Sequence, residues 1–211
     1  MKRMALVGMP NTGKSTLFNH LTGGAARIAN WPGLTVEITT GRALLGKYLV
    51  HVADLPGIYD LEGGAEDERL AHAFLAETPL DAVLLVLNAT QLDRQLGLAL
   101  QLAALDVPLI VALNMADEAR RAGIQIDREG LSARLGCPVV AISAKRGESI
   151  PELKHLLGQH LQNVKPHCAD FSRVTTSSDW HAEEAELYGR FVRQPATLNE
   201  SHSARLDRWV L

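Results

Sequence analysis

Gly8-Met-Pro-Asn-Thr-Gly13-Lys14-Ser15 is the stretch on which the fold turns. It fits G-x-x-x-x-G-K-[ST], and its surroundings fit as well. A short apolar run, Met4–Val7, leads in, and a helical pattern, Lys14–Leu21, leads out. Strand, glycine loop and helix in that order form a phosphate cradle. Gly8 and Gly13 let the backbone approach phosphate oxygens closely. Successive N–H groups and the helix N-terminus form an anion nest. Lys14 is placed to reach the β- and γ-phosphates, and the Ser15 hydroxyl to bind Mg²⁺. Thr12 and Thr16 flank these residues and join the nucleotide-binding set.

Outward from this loop, short β-rich runs alternate with helical patterns. Strands are predicted at Met4–Val7, Val36–Leu44, Tyr48–Asp54, Ala82–Asn88, Leu109–Asn114 and Val139–Ile142. Helices are predicted at Lys14–Leu21, Asp67–Glu77, Leu92–Leu105, Asp127–Leu135 and Ile150–Leu161. Such alternation specifies an α/β fold, a mostly parallel sheet with helices on both faces. Only a few residues around Gly46 join the second and third strands, too few for a parallel crossover. The expectation is six strands, one of them antiparallel at an edge. Composition changes near Lys165-Pro166, so residues 1–166 read as the nucleotide-binding domain. Residues 167–211 read as a linker and a short helical appendage, with a helix over Trp180–Val192.

Composition sets limits on partners. Of 211 residues, 46% are hydrophobic, enough for one sizeable core. The formal net charge of −3 argues against a general nucleic-acid or anionic-membrane binder, which would carry a basic excess. Two cysteines, Cys137 and Cys168, are too few for a disulfide framework and point to a reducing compartment. No apolar run approaches the length of a membrane span, and the N-terminus lacks the apolar stretch of a signal peptide.

A phosphate loop alone does not identify the base, but later motifs follow in order. Asp54-Leu-Pro-Gly57 ends the third strand. Asp54 is placed to hold Mg²⁺, and the Gly57 N–H to meet a γ-phosphate. Asn114-Met115-Ala-Asp117 ends the fifth strand. Its carboxylate can accept from the paired N1–H and 2-amino donors of guanine, which adenine lacks. Ser143-Ala144-Lys145 follows the sixth strand, where a backbone N–H can donate to guanine O6. Thr35, before the second strand, is placed to sense Mg²⁺ and the γ-phosphate. The set resembles a small translation-factor-type GTPase domain, which implies a P-loop GTPase fold with GTP/GDP as ligand.

The longer segments resemble a particular family. Asn30-Trp-Pro-Gly-Leu-Thr-Val-Glu37, Asp54-Leu-Pro-Gly-Ile-Tyr-Asp-Leu61, Leu113-Asn-Met-Ala-Asp117 and Leu131-Ser-Ala-Arg-Leu-Gly-Cys-Pro138 resemble the ferrous iron transport protein B (FeoB) family of bacteria. The likeness covers about residues 3–163. Arg205-Leu-Asp-Arg-Trp209 looks like the approach to that family's membrane region. The resemblance implies a soluble fragment at the cytoplasmic face of the inner membrane, attached to a membrane-embedded Fe²⁺ permease domain. It also implies small cytosolic Feo partners, and it leaves monomer and trimer both open. The family's GDP-stabilising helical subdomain is much shortened here, and Asn88-Ala-Thr departs from the family's usual Asp-Ala-Ser/Thr.

Many GTPases place a glutamine after Asp-x-x-Gly to orient the attacking water; here that residue is Ile58. Family members with asparagine at the position of Asn11 use a K⁺ ion, held by that side chain and by carbonyls of the switch segment. That implies roles for Asn11 and for Gly33 and Leu34 before Thr35. Catalysis would then rest on Asn11, Lys14, Thr35 and Gly57. The alternatives are a soluble ribosome-assembly GTPase and a guanine-nucleotide sensor that hardly turns over. The tail carries more acidic than basic side chains, which weighs against an RNA-binding module. His167, Cys168 and Asp170 are set aside as metal ligands because no other segment supplies partners. His155 and His160 read as solvated, and Glu183, Glu184 and Glu186 as an exposed helical face.

Overall fold

The computed structural model describes residues 1–30, 37–105, 107–162 and 177–195. In chain order these form β1 (Lys2–Val7), α1 (Lys14–Thr22), β2 (Arg27–Asn30), β3 (Glu37–Leu45), β4 (Tyr48–Asp54) and α2 (Glu66–Glu77). Next come β5 (Ala82–Asn88), a 3₁₀ turn (Leu92–Arg94), α3 (Leu96–Ala104), β6 (Leu109–Asn114), α4 (Ala116–Arg121) and β7 (Gln125–Ile126). The remainder is α5 (Arg128–Leu135), β8 (Val139–Ala141), α6 (Ile150–Gln162), α7 (Ser177–Phe191) and β9 (Val192–Arg193).

The main sheet has seven strands in the order β2-β3-β4-β1-β5-β6-β8. β4, β1, β5, β6 and β8 run parallel to one another, while β3 runs antiparallel to both β2 and β4. The expected hairpin is present, but the count of six strands is corrected: β2 lies outside β3, so the antiparallel strand is second from the edge. Arg-Ile-Ala-Asn carries no apolar run, because an edge strand buries little, and so it gave no periodic signal.

The centre of the sheet was easier to read. Every residue of β5 and β6 is buried, as in parallel strands covered on both faces. Two apolar clusters lie on either side. One holds Met4, Leu6, Leu84, Val86 and Ile110 with α1 and α6. The other holds Ala5, Val7, Leu85 and Val111 with α2, α3, α5 and α7.

Helix α3 is apolar on nearly all sides, with Leu96, Leu98, Ala99, Leu100, Leu102 and Ala103 buried. A helix of that composition needs cover on both sides. The sheet covers one side, and α7 covers the other with Trp180, Leu187 and Phe191 in the same cluster. Polar contacts seat α7. The Gly97 N–H donates to Glu184 Oε1 at 2.9 Å, and Arg134 pairs with Glu183. β9 then pairs antiparallel with β7.

These contacts correct the reading of Glu183 and Glu184 as solvated; Glu186 is exposed. Half-buried Glu184 has its pKa raised, chiefly by desolvation. His155 is exposed as expected, but His160 is half-buried, and burial lowers its pKa. The helix expected over Leu92–Leu105 is broken at Gln95. That buried side chain turns inward to accept the Asn88 N–H at 2.7 Å. Cys137 is buried, as expected. His167, Cys168 and Asp170 lie outside the described residues.

No described helix is long and apolar enough to cross a membrane.

Candidate functional site

The site is built at the C-terminal ends of β1, β4, β6 and β8, where an open α/β sheet places its ligands. After β1 the chain turns through Gly8–Gly13. A Cβ on Gly8 would stand 2.5 Å from the Val86 carbonyl oxygen, so the loop lies directly on β5. Gly13 has φ of +80°, and a Cβ there would stand 2.3 Å from Asn114 Nδ2. Only glycine meets both conditions. Asn11 is also left-handed, with φ of 64°, a conformation asparagine tolerates better than most residues. Its side chain is exposed. Thr12 is buried, and its hydroxyl donates to the Met9 carbonyl at 3.0 Å.

Lys14 and Ser15 open α1. The Lys14 ammonium pairs with Asp54 at the end of β4 and donates to the Leu55 carbonyl at 2.5 Å. Both charged side chains are largely shielded, with 11% and 10% exposure. Gly57 follows closely: the Ile58 N–H donates to the Gly8 carbonyl at 3.2 Å, tying this segment to the phosphate loop. Ile58 is itself buried and offers no polar atom to a reacting water. Ser15 is exposed beside this pair in sequence. A hydroxyl and a carboxylate are hard oxygen donors, a set that suits Mg²⁺. The exposed amide oxygen of Asn11 is likewise a donor suited to K⁺. Gly33, Leu34 and Thr35 lie outside the described residues.

The base end is braced more fully. Asn114 is buried, and its amide bridges two loops. Nδ2 donates to the Thr12 carbonyl at 2.7 Å, and Oδ1 accepts the Ala144 N–H at 2.9 Å. Met115, at φ 60°, turns the chain into α4. Asp117, in the first turn of α4, is buried. Its Oδ2 meets Arg121 at 2.7 Å and Arg146 at 2.9 Å. The Ser143 hydroxyl faces the carboxylate and, with these two arginines, holds its pKa below the usual range despite burial. The Ser143–Glu148 loop is closed by backbone hydrogen bonds of 3.1 Å in both directions. His20 Nε2 lies 2.7 Å from the Ala144 carbonyl, linking α1 to the same loop.

Gly13, Thr16, Asn114, Met115, Asp117, Ser143, Ala144 and Lys145 converge on one cleft of about 170 Å³. These residues come from three stretches of chain up to about 130 positions apart. Size does not mark the site. A cavity of about 380 Å³, framed by Ala116, Arg120, Ile124 and Glu152, contains none of the predicted site residues.

The sequence reading missed the partners of Asp117. Arg121 was open to discovery, because Asp and Arg four apart on a helix share a face. Arg146 and His20 gave no local signal.

Comparison with known proteins agrees with this geometry. The family model described as Ferrous iron transport protein B matches residues 2–157. The Fe(2+) transporter FeoB of Synechocystis sp. is 48% identical over 162 residues, covering 77% of this chain but 26% of that protein. The cytosolic domain of L. pneumophila FeoB superposes with a TM-score of 0.71 at 42% identity, covering 80% of this chain and 65% of that one. The cytosolic domain of T. maritima FeoB in its GMPPNP form gives a TM-score of 0.75 at 35% identity, covering 90% and 75%. The chain therefore spans about a quarter of the curated relative's length.

Proposed function

Because this chain belongs to the ferrous iron transport protein B family, we propose that it is the GTP-binding and GTP-hydrolysing domain of a bacterial Fe²⁺ transporter. The observation that carries this reading is the convergence of the phosphate loop and the two base motifs on one braced cleft. The nucleotide-bound T. maritima relative supports the same assignment.

In this mechanism Asp117 accepts from guanine N1–H and the 2-amino group, and a backbone N–H of the loop at Ser143–Lys145 not already engaged by Asn114 donates to O6. Asn114 fixes the distance between base and phosphates by tying the two loops together. The N–H groups of the Gly8–Lys14 loop bind the phosphates, and Lys14 exchanges Asp54 for the β- and γ-phosphate oxygens. Ser15, Asp54 and Thr35 would hold Mg²⁺, which screens charge on those oxygens. Water attacks the γ-phosphorus, the bond to the bridging oxygen breaks, and GDP and phosphate leave. Ile58 cannot orient that water. A K⁺ beside Asn11, with carbonyls of Gly33 and Leu34, would supply the charge that an arginine finger supplies elsewhere.

Residues 1–166 form the catalytic unit in this proposal, and residues 167–211 lead toward a membrane-embedded Fe²⁺ permease. GTP orders the segments around Thr35 and Gly57, and hydrolysis releases them, which regulates or drives iron uptake at the inner membrane. Small cytosolic Feo proteins are the further partners proposed.

GTP turnover with Mg²⁺ in matched KCl and NaCl, with ATP as control, tests this. GTP-selective, K⁺-stimulated turnover is expected. Tight GTP binding without turnover in either salt would make the domain a sensor, and equal use of ATP would remove the role given to Asp117.

A further inference from the structure

The sheet face that packs against α2 and α3 is unevenly covered. At its centre Ala5, Ala53, Val83 and Leu85 share one core cluster with Phe74 and Leu75 of α2. Toward the β2 edge the same face turns basic. Side chains alternate between faces along a strand, and cross-strand partners share a face. His51 on β4 stands opposite Arg3 on β1 and opposite Arg42 on β3. Arg27 on β2 stands opposite Thr40, two residues from Arg42. Four adjacent strands thus each present a basic side chain to one face. Arg27, Thr40, Arg42 and His51 line a cleft there of about 310 Å³.

Like charges across neighbouring strands repel. The strain registers on His51: burial, then the fields of Arg42 and Arg3, push its pKa below 6.5. Among the described residues, Arg3, Arg27 and Arg42 make no ion pair, although the chain as a whole is acidic. The next pair along the β3–β4 ladder is Leu44 opposite Leu49, on the same face and 70% and 48% exposed. A solvated sheet face ordinarily carries polar side chains there.

We propose that this half-sheet face is a docking surface for an anionic lipid bilayer. The arginines meet headgroup phosphates, and Leu44 and Leu49 enter the boundary with the acyl chains. The leucines decide between occupants. A soluble phosphate would use the charges and leave the apolar pair in water.

The test is flotation of the full chain with vesicles of phosphatidylcholine alone, or of three parts phosphatidylcholine to one part phosphatidylglycerol. Flotation with the anionic vesicles only is expected, fading as salt rises from about 0.05 to about 0.3 M. Arg27→Gln with Arg42→Gln should weaken partitioning about five-fold per charge removed. Leu44→Ser with Leu49→Ser should weaken it about ten-fold or more. GDP affinity, unchanged in all variants, verifies that they fold. The proposal is overturned by absent flotation, by equal flotation on neutral vesicles, or by binding that survives either double substitution. It is also overturned if inorganic phosphate or poly-glutamate saturates the face while vesicles do not bind.

Discussion

The two ends of the nucleotide site are organised differently. At the base end, each recognition group is held by several others. Asn114 ties Thr12 to Ala144, and Asp117 is held by Arg121 and Arg146. At the phosphate end, Lys14 and Asp54 hold each other, while Asn11 and Ser15 stand exposed. The base end is preorganised for a ligand edge that never changes during turnover. The phosphate end must exchange partners as charge moves, so its groups are held by bonds that a ligand can replace. In the proposed function, specificity belongs to the rigid end and chemistry to the labile one.

Removing the brace that joins the two ends is expected to have the largest effect. Asn114→Ala leaves the buried Thr12 carbonyl and Ala144 N–H unpaired, at about 1–3 kcal/mol each. Thermal denaturation should show lower stability, and calorimetry should show GDP affinity reduced a hundred-fold or more. Affinity within three-fold of wild type would mean the ends are independent.

Asp117→Asn sharpens the contrast by changing chemistry without shape. The amide faces two guanine donors with a donor of its own, and guanine affinity should fall about a hundred-fold. Xanthine nucleotides, which carry a carbonyl at the second position, should bind better than guanine ones in a competition assay.

Asn11→Ala addresses the phosphate end alone. Turnover in KCl should fall to the level in NaCl, with GTP affinity within about two-fold. Equal turnover by the wild type in both salts would break this side of the comparison.

The pH response follows from the depressed pKa of Asp117. Its contribution is present above the ordinary carboxylate value of 3.8 and is lost only as pH falls below it. Asp117 should therefore cause no loss of GDP binding between pH 7 and about 4.5 in fluorescence titrations. Arg146→Ala should have the smallest effect. That side chain is 53% exposed and screened by solvent, so a loss near 0.5 kcal/mol, two- to three-fold in affinity, is expected.

Legibility in the sequence tracked the range of the interactions. Tyr48–Asp54, Ala82–Asn88 and Leu109–Asn114 were read to the residue; the latter two are continuous apolar runs, as buried parallel strands are, and the first is a β-rich run bounded by the turn at Gly46 and by Asp54-Leu-Pro-Gly57. β2, α4, β7 and β9 were missed. Each is too short, or too weakly buried, for periodicity to register. α3 did carry an unread signal: its apolar circumference requires a second cover, which α7 supplies.

The phosphate loop, the order of the motifs and the central strands follow from local sequence. Those features depend on backbone geometry and apolar runs a few residues long. Tertiary structure alone decided which side chains brace Asn114 and Asp117, where β2 joins the edge, and how the basic row forms. Those arrangements depend on strand register between segments tens of residues apart, which no local pattern encodes.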